Sequence, residues 1–217
     1  MQKNIHFVVP KAGRPAWADA NIEGFRALNT GWNLMFHDTP ADFDMPPEYT
    51  AAYAVMTRPD TQSDVLRMAA LDVFGGWYFD WDVWPIKGID QTNTAGMIGD
   101  KLFLYPIAGA NFGSAICAAD QDSSAWPIVR KLMLDLAEGR AFRPWHPEGY
   151  ICDSLRKFHV EHMAFGDPKE FTVTGRAHGD RDLYQRLLAG EQVDLRDAAF
   201  LHGWNNGGRK AMEHGRI

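Results

Sequence analysis

The chain has little cysteine, no surplus of basic residues and no long hydrophobic run. Its two cysteines, Cys117 and Cys152, are too few and too far apart for a disulfide framework or a zinc site of paired cysteines. A formal net charge of −6 disfavours broad contact with nucleic-acid phosphates or anionic lipid, because no basic stripe offsets the repulsion. We therefore expect buried, reduced thiols and no nucleic-acid partner. A local anion site that carries its own metal ion stays possible.

The apolar runs are broken by Asp, Gly or Pro well before the ~20 residues that a membrane-spanning helix requires. The N-terminus has no basic stretch leading into an apolar signal segment. We therefore expect no transmembrane segment and a cytoplasmic protein. With 217 residues, 46% of them apolar, the chain has the size of one domain. We predict a single domain over residues 1–204 and a loose tail over residues 205–217.

Strand and helix patterns alternate along the chain. Short apolar or alternating runs predict strands, and amphipathic runs bounded by Pro or Gly predict helices. The predicted strands cover residues 5–9, 32–36, 77–79, 101–105, 111–118, 171–174 and 198–202. The predicted helices cover residues 15–28, 61–74, 124–138, 147–159 and 181–189, and the prolines of residues 40–47 predict a turn. This alternation predicts an α/β fold, a mixed sheet with helices on both faces.

Asp80 and Asp82 follow the predicted strand at residues 77–79 and are separated by one residue. In extended backbone, residues two apart point the same way, with Cα atoms about 6.5 Å from each other. The two carboxylates can therefore bind one cation, and Mg²⁺ or Mn²⁺ suits them because both prefer oxygen ligands. A solvated acidic turn would show the same two residues.

The residues before this pair form a rarer pattern. Ser-Asp-x-x-Arg at residues 63–67 is followed by Gly-Gly-x-Tyr-x-Asp-x-Asp at residues 75–82. This order resembles the signature of DXD-motif glycosyltransferases, which include initiating mannosyltransferases, capsular polysaccharide transferases and large glucosylating toxins. Residues 5–7 and 202–204 also resemble that family's first strand and closing His-and-Trp region. The resemblance implies a GT-A-like mixed sheet with a Rossmann-like nucleotide-binding half, forming one catalytic domain.

The resemblance implies a metal site. Asp82 would ligate Mn²⁺ or Mg²⁺, and Asp80 would contact the metal shell and the ribose or sugar. His202, at the end of a predicted strand, would be a third ligand, and an imidazole suits manganese acceptably. A histidine satisfied by backbone is the alternative for His202. Asp80, Asp82 and Arg67 are the expected catalytic residues.

The resemblance also implies a donor site. Asp64 and Arg67 would hold the hydroxyl groups of the donor sugar, although residues three apart on a helix also form ordinary surface ion pairs. Tyr78 would lie beside the nucleotide, unless it simply packs in the core. Trp204 would donate its indole N–H to the leaving diphosphate, unless it stacks in the core.

The expected reaction is metal-dependent sugar transfer with retention of configuration, from a UDP- or GDP-sugar to a glycan, lipid-linked or protein acceptor. Relatives continue the first strand with a Trp that can stack on the base, whereas this chain has Val8-Val9-Pro10, so the base stays open. The acceptor side has four candidates, each with an alternative explanation as a turn, cap or surface residue: Asn111, Glu148, Asp153 and Asp180.

Two other classes of function remain. A haloacid-dehalogenase-like phosphatase would use a strand-terminal Asp-x-Asp as nucleophile and general acid around magnesium, but its pair normally follows the domain's first strand. A non-catalytic domain would bind a sugar nucleotide or glycan without turning it over. Phosphoester cleavage without nucleotide binding would indicate the first, and nucleotide binding without release of free nucleoside diphosphate would indicate the second.

Overall fold

The structure is a computed structural model and describes residues 1–9, 16–107, 111–166, 170–173, 186 and 198–202. The strands are Asn4–Val8 (β1), Asn33–His37 (β2), Gly76–Phe79 (β3), Val83–Pro85 (β4), Leu102–Ile107 (β5), Asn111–Ala119 (β6), Met163–Ala164 (β7), Phe171–Val173 (β8) and Phe200–His202 (β9). The helices are Ala16–Leu28 (α1), Pro47–Val55 (α2), Pro59–Phe74 (α3), Trp126–Ala137 (α4) and Pro147–Phe158 (α5).

Six of these strands form the central sheet, in the order β2-β1-β3-β6-β5-β7. Strand β1 is parallel to both β2 and β3, whereas β6 is antiparallel to β3 and β5. A smaller sheet has the order β4-β9-β8. The predicted mixed α/β fold is confirmed.

Hydrophobic cores lie on both faces of the central sheet, because side chains of β3 alternate between them. Trp77 and Phe79 point into a core shared with α1 and the small sheet, where Phe79 lies 4.5 Å from Phe25 and 4.9 Å from Phe200 between ring centroids. Tyr78 points into the opposite core, which is built with α2, α3, α4 and α5. The expected helices on both faces are therefore present.

The Gly-Gly pair has a steric explanation at the junction of α3 and β3. Gly75 ends the helix with φ 61°, and Gly76 follows with φ 113°. A Cβ on Gly76 would lie 2.4 Å from the backbone oxygen of Asn4. Only glycine combines these φ values with so close a passage beside β1. The Gly-Gly pair thus allows β3 to lie close to β1 and so fixes the position of Asp80, which follows β3.

The predicted elements within the described residues are present, with ends shifted by a few residues. The proline-rich turn is only partly right, because Pro47 begins helix α2, which buries Tyr49 and Ala52. Strands β4 and β7 were not predicted, and both are very short. The predicted helix at residues 181–189, Arg186 apart, and the predicted tail lie outside the described residues. Among the described residues, no helix is both long and apolar enough to cross a bilayer.

Candidate active site

Two chain segments bring the Asp-x-Asp pair next to His202. The backbone N–H of Asp80 donates to Ala115 O (2.7 Å), and Val83 N–H donates to Asp80 O (2.9 Å), which closes a tight turn after β3. Strand β4 begins at Val83, whose antiparallel partner on β9 is His202. This pairing places a residue from the far end of the chain beside Asp82.

Asp80, Asp82 and His202 each direct one potential ligand atom into a group whose atoms all lie within 4.8 Å of one another. Nε2 of His202 is 3.4 Å from Asp82 Oδ1. Its other ring nitrogen, Nδ1, is 3.0 Å from the hydroxyl of Tyr105. Two carboxylates and an oriented imidazole therefore converge, an arrangement that could hold a divalent cation.

The electrostatics of these three residues are unequal. Burial raises the pKa of Asp80, and the negative charge of Asp82 adds to this effect. Burial would also raise the pKa of Asp82, but the hydrogen bond and charge of His202 outweigh it, so that pKa is lowered. For His202, burial is outweighed by the contact with Asp82, and the pKa is raised. In this structure the imidazole and Asp82 thus form an ion pair beside Asp80, whose pKa is raised.

Arg67 connects the Asp-x-Asp pair to helix α3. Its guanidinium lies 3.1 Å from Asp64 and 3.2 Å from Asp80, and Nη1 donates to Ser114 Oγ at 2.8 Å. The ion pair with Asp64 joins residues three apart on the helix, but both side chains are buried rather than at the surface. Buried arginine with several partners fixes the relative positions of α3, β3 and β6.

Tyr78 lies beneath the site. Its ring is 4.8 Å from the Arg67 guanidinium carbon, and its hydroxyl donates to Asp80 Oδ1 at 2.6 Å. The side chain is only 1% exposed and is not part of the cavity wall. Alternation along β3 turns the ring into the core, which agrees with the alternative of core packing, and a place beside the nucleotide stays a prediction.

A second acidic group lies beside Arg67. Glu148, in the first turn of α5, accepts hydrogen bonds from Ser114 N (2.6 Å) and Ser114 Oγ (3.1 Å). Its own backbone N–H donates to Asp64 Oδ2 at 3.4 Å. Burial, together with the charges of Glu148 and Asp80, raises the pKa of Asp64 to about 8 despite Arg67. Asp64, Glu148 and His146 thus form a second group of possible ligand atoms.

Both acidic groups line one cavity of about 1130 Å³. Its wall includes Val8 and Val9 of the first strand segment, the Asp-x-Asp turn and the start of α5. Most ligand pockets have ~300–1,000 Å³, so this one has room for more than a single small ligand.

Of the acceptor-side candidates, Glu148 lines the cavity, whereas Asp153 pairs with Arg143 (3.0 Å) away from it. The side chain of Asn111 is not described, and Asp180 and Trp204 lie outside the described residues. The sequence patterns did not indicate Ser114 and Tyr105, which lie on the paired strands β6 and β5, or His146, which precedes α5. None of the three belongs to a motif.

Comparison with known proteins agrees with this geometry. Residues 17–97 match the family model described as a glycosyltransferase sugar-binding region containing DXD motif. No curated protein matches the chain in sequence. The match covers α1 to the Asp-x-Asp turn and the segment that follows it.

Solved structures show the same fold at low identity. A glycosyltransferase involved in the glycosylation of the major capsid of PBCV-1 is 12% identical, with 99% of each chain covered and a TM-score of 0.54. The galactosyltransferase LgtC, solved with donor and acceptor sugar analogs, is 10% identical, with 99% of this chain and 100% of that chain covered and a TM-score of 0.51. The apo form of mouse xyloside xylosyltransferase 1 is 16% identical, with 94% and 85% covered and a TM-score of 0.54.

These matches favour neither the phosphatase nor the non-catalytic binding domain. Residues 17–97 are thus similar to a DXD-containing glycosyltransferase region, and the described structure has the fold of solved GT-A glycosyltransferases.

Proposed function

We propose that this protein is a glycosyltransferase that moves a sugar from a UDP- or GDP-sugar to a hydroxyl acceptor, with Mn²⁺ or Mg²⁺ and with retention of configuration. The observation that carries the proposal is the convergence of Asp80, Asp82 and His202 on the same cavity that Arg67 enters. Retention of the anomeric configuration is proposed from the family resemblance alone.

The residues present fit a divalent cation. The carboxylates of Asp80 and Asp82 supply hard oxygen ligands, and a cation would stabilise the ionised form of Asp80, whose pKa is raised by burial and by Asp82. Nε2 of His202 can ligate the cation when the ring proton is on Nδ1. The N–H at Nδ1 then donates a hydrogen bond to the Tyr105 hydroxyl. Such an ion would act as a Lewis acid on the diphosphate and stabilise the negative charge that develops there.

The donor sugar would lie against Asp64 and Arg67. The carboxylate of Asp64 accepts hydrogen bonds from hydroxyl groups, and the guanidinium of Arg67 donates them. Tyr78 would act as a positioning residue, because it holds Asp80 and Arg67 from below. Trp204 keeps its proposed role as a donor to the leaving diphosphate.

In the transfer step, the bond between the anomeric carbon and the diphosphate oxygen breaks. A bond forms between that carbon and the acceptor hydroxyl oxygen, and the hydroxyl proton leaves with the nucleoside diphosphate. The acceptor is a glycan, a lipid-linked sugar or a protein.

Calorimetric titration of UDP and GDP, with and without Mn²⁺, tests this proposal on the wild type and on Asp82→Asn. We expect manganese-dependent binding of one nucleotide by the wild type and at least a ~100-fold loss in the variant, because one charged ligand is removed. Asp90→Asn is the matched control, since Asp90 is an exposed carboxylate paired with Lys3 at 2.8 Å.

Binding that is equal in Asp82→Asn and Asp90→Asn would contradict the assigned ligand. Failure of the wild type to bind either nucleotide with any metal would overturn the proposed donor and bring the phosphatase forward.

A further inference from the structure

We propose that Trp145, His146 and Glu148 form an acceptor subsite for a neutral saccharide at the rim of the cavity. The inference rests on the proposed function and narrows its acceptor to carbohydrate. All three residues line the same cavity as the Asp-x-Asp pair.

Trp145 is unusual because its large ring is 69% exposed although it lines a cavity. Tryptophan is normally well buried, and an exposed indole beside a polar site offers an apolar face and an N–H donor together. The apolar C–H face of a pyranose matches such a ring, while its hydroxyl groups require polar partners nearby.

The loop that carries Trp145 is anchored at both ends. His146 N–H donates to Arg143 O (3.1 Å), and Arg143 forms an ion pair with Asp153 of α5 at 3.0 Å. The Phe142 ring lies 5.0 Å from that of Tyr150 on the same helix. These contacts fix the segment that carries the indole at the start of α5. Ligand binding would therefore cost less conformational entropy.

The polar partners lie next to this ring. Glu148 uses Oε1 for Ser114, and within the described part of the chain its Oε2 accepts no hydrogen bond. His146 accepts from Gly149 N–H through Nδ1, at 3.4 Å. The remaining carboxylate oxygen and Nε2 can hydrogen-bond neighbouring hydroxyl groups of a sugar.

The charge of the rim indicates the class of acceptor. Asp60 is paired with Arg58, and Asp64 with Arg67, so Glu148 is the acidic side chain next to Trp145 that has no basic partner among the described residues. A phosphate placed against Glu148 would be repelled. A neutral sugar combines the hydroxyl donors that carboxylates need with an apolar face for Trp145. The proposed acceptor is therefore a saccharide. The experiment below distinguishes it from a lipid-phosphate or peptide acceptor.

The experiment compares Trp145→Ala with Phe158→Ala. Phe158 is also 69% exposed but does not line the cavity, so the two variants remove equally exposed aromatic rings. Saturation-transfer NMR with methyl glycosides of glucose, galactose, mannose and N-acetylglucosamine measures saccharide binding in the presence of Mn²⁺ and the nucleoside diphosphate. The melting temperatures of both variants check that folding is unchanged.

We expect at least one glycoside to bind the wild type and Phe158→Ala, and to bind Trp145→Ala at least about tenfold more weakly. Trp145→Phe should recover part of the affinity, because a ring face remains. Equal glycoside binding by the two alanine variants would overturn the subsite. So would the absence of glycoside binding by a wild type that binds nucleotide, which would leave the proposed function intact and point to a peptide or lipid-phosphate acceptor.

Discussion

The molecule contains two buried polar clusters that are built in opposite ways. His6 lies on β1 and His37 on β2, and both rings are almost fully buried. The active site groups four carboxylates, Asp64, Asp80, Asp82 and Glu148, around one guanidinium and one imidazole, Arg67 and His202.

The histidine pair is neutral, and within the described residues one of its ring nitrogens, Nδ1 of His37, has no hydrogen-bond partner. Nε2 of His6 lies 2.9 Å from Gly75 O, so it carries the proton, because a carbonyl oxygen only accepts. Nδ1 of His6 must then accept from Nε2–H of His37, at 3.0 Å. Burial is the main reason that the pKa of each histidine falls to about 4.

The candidate active site holds four acidic groups but only two basic ones, and burial raises the pKa of Asp64 and Asp80. The histidine pair, which supports the fold, loses its charge on burial. The candidate active site instead crowds four acidic groups together, which is destabilising in the absence of a ligand and useful in its presence.

The largest expected effect concerns acid and the histidine pair. Because the folded-state pKa values lie near 4 and the unfolded value is about 6.5, the unfolded chain binds more protons between these pH values. The contribution of one neutral histidine to the free energy of unfolding is therefore fully present above pH ~6.5. It decreases by about 3 kcal/mol as the pH falls to 4. Urea unfolding across this range measures the slope.

His37→Gln sharpens this test, since the glutamine amide can still donate to His6 but cannot take up the proton. We expect the slope between pH 6.5 and 4 to become clearly shallower than in the wild type. An unchanged slope would assign the acid sensitivity to other groups.

The next effect concerns His202 and the residue behind it. We expect His202→Ala to weaken Mn²⁺-dependent nucleotide binding by more than about 100-fold, and Tyr105→Phe by about tenfold, as is typical for a partner that only orients a ligand. Calorimetric titration of the nucleotide that the wild type binds, in the presence of Mn²⁺, measures the affinity of both variants. His162→Ala, a histidine paired with Ser124 elsewhere, should bind normally. Normal binding by His202→Ala would remove it from the metal site.

The smallest effect is a gain in stability. Asp80→Asn keeps an acceptor for Tyr78 and Arg67 but removes a carboxylate whose pKa is raised by burial. We expect about 1 kcal/mol more stability together with loss of metal binding, the usual trade-off at active sites. Asp90→Asn is the control with the opposite sign, because hydrogen bonding to Lys3 lowers the pKa of Asp90. Thermal unfolding at pH 7 compares them, and a less stable Asp80→Asn would contradict the comparison.

Local patterns allowed most of the fold to be predicted. Helix α3 and its end at Gly75 followed from apolar periodicity and a glycine stop, and the alternation of elements gave the mixed sheet. Helix α2 was missed because Pro47 was interpreted as part of a turn, although proline is common in the first turn of a helix. The two-residue strand β7 is too short to leave a pattern.

The site was only partly predictable. Asp64 and Arg67 are three apart on α3, so their contact followed from helix geometry. The sequence left Tyr78 either beside the nucleotide or in the core, and the fold buries its ring. Ser114 and Tyr105 had no motif, because their roles depend on which strands pair.

By itself, the sequence determined the order of helices and strands, the Gly-Gly turn and the paired carboxylates of Asp80 and Asp82. These features are local, since periodicity, turn geometry and motif spacing act over a few residues. Only the tertiary structure placed His202 opposite Val83 and Glu148 against Ser114. Such contacts join distant segments through sheet pairing and helix packing, and no short stretch of sequence encodes the partner.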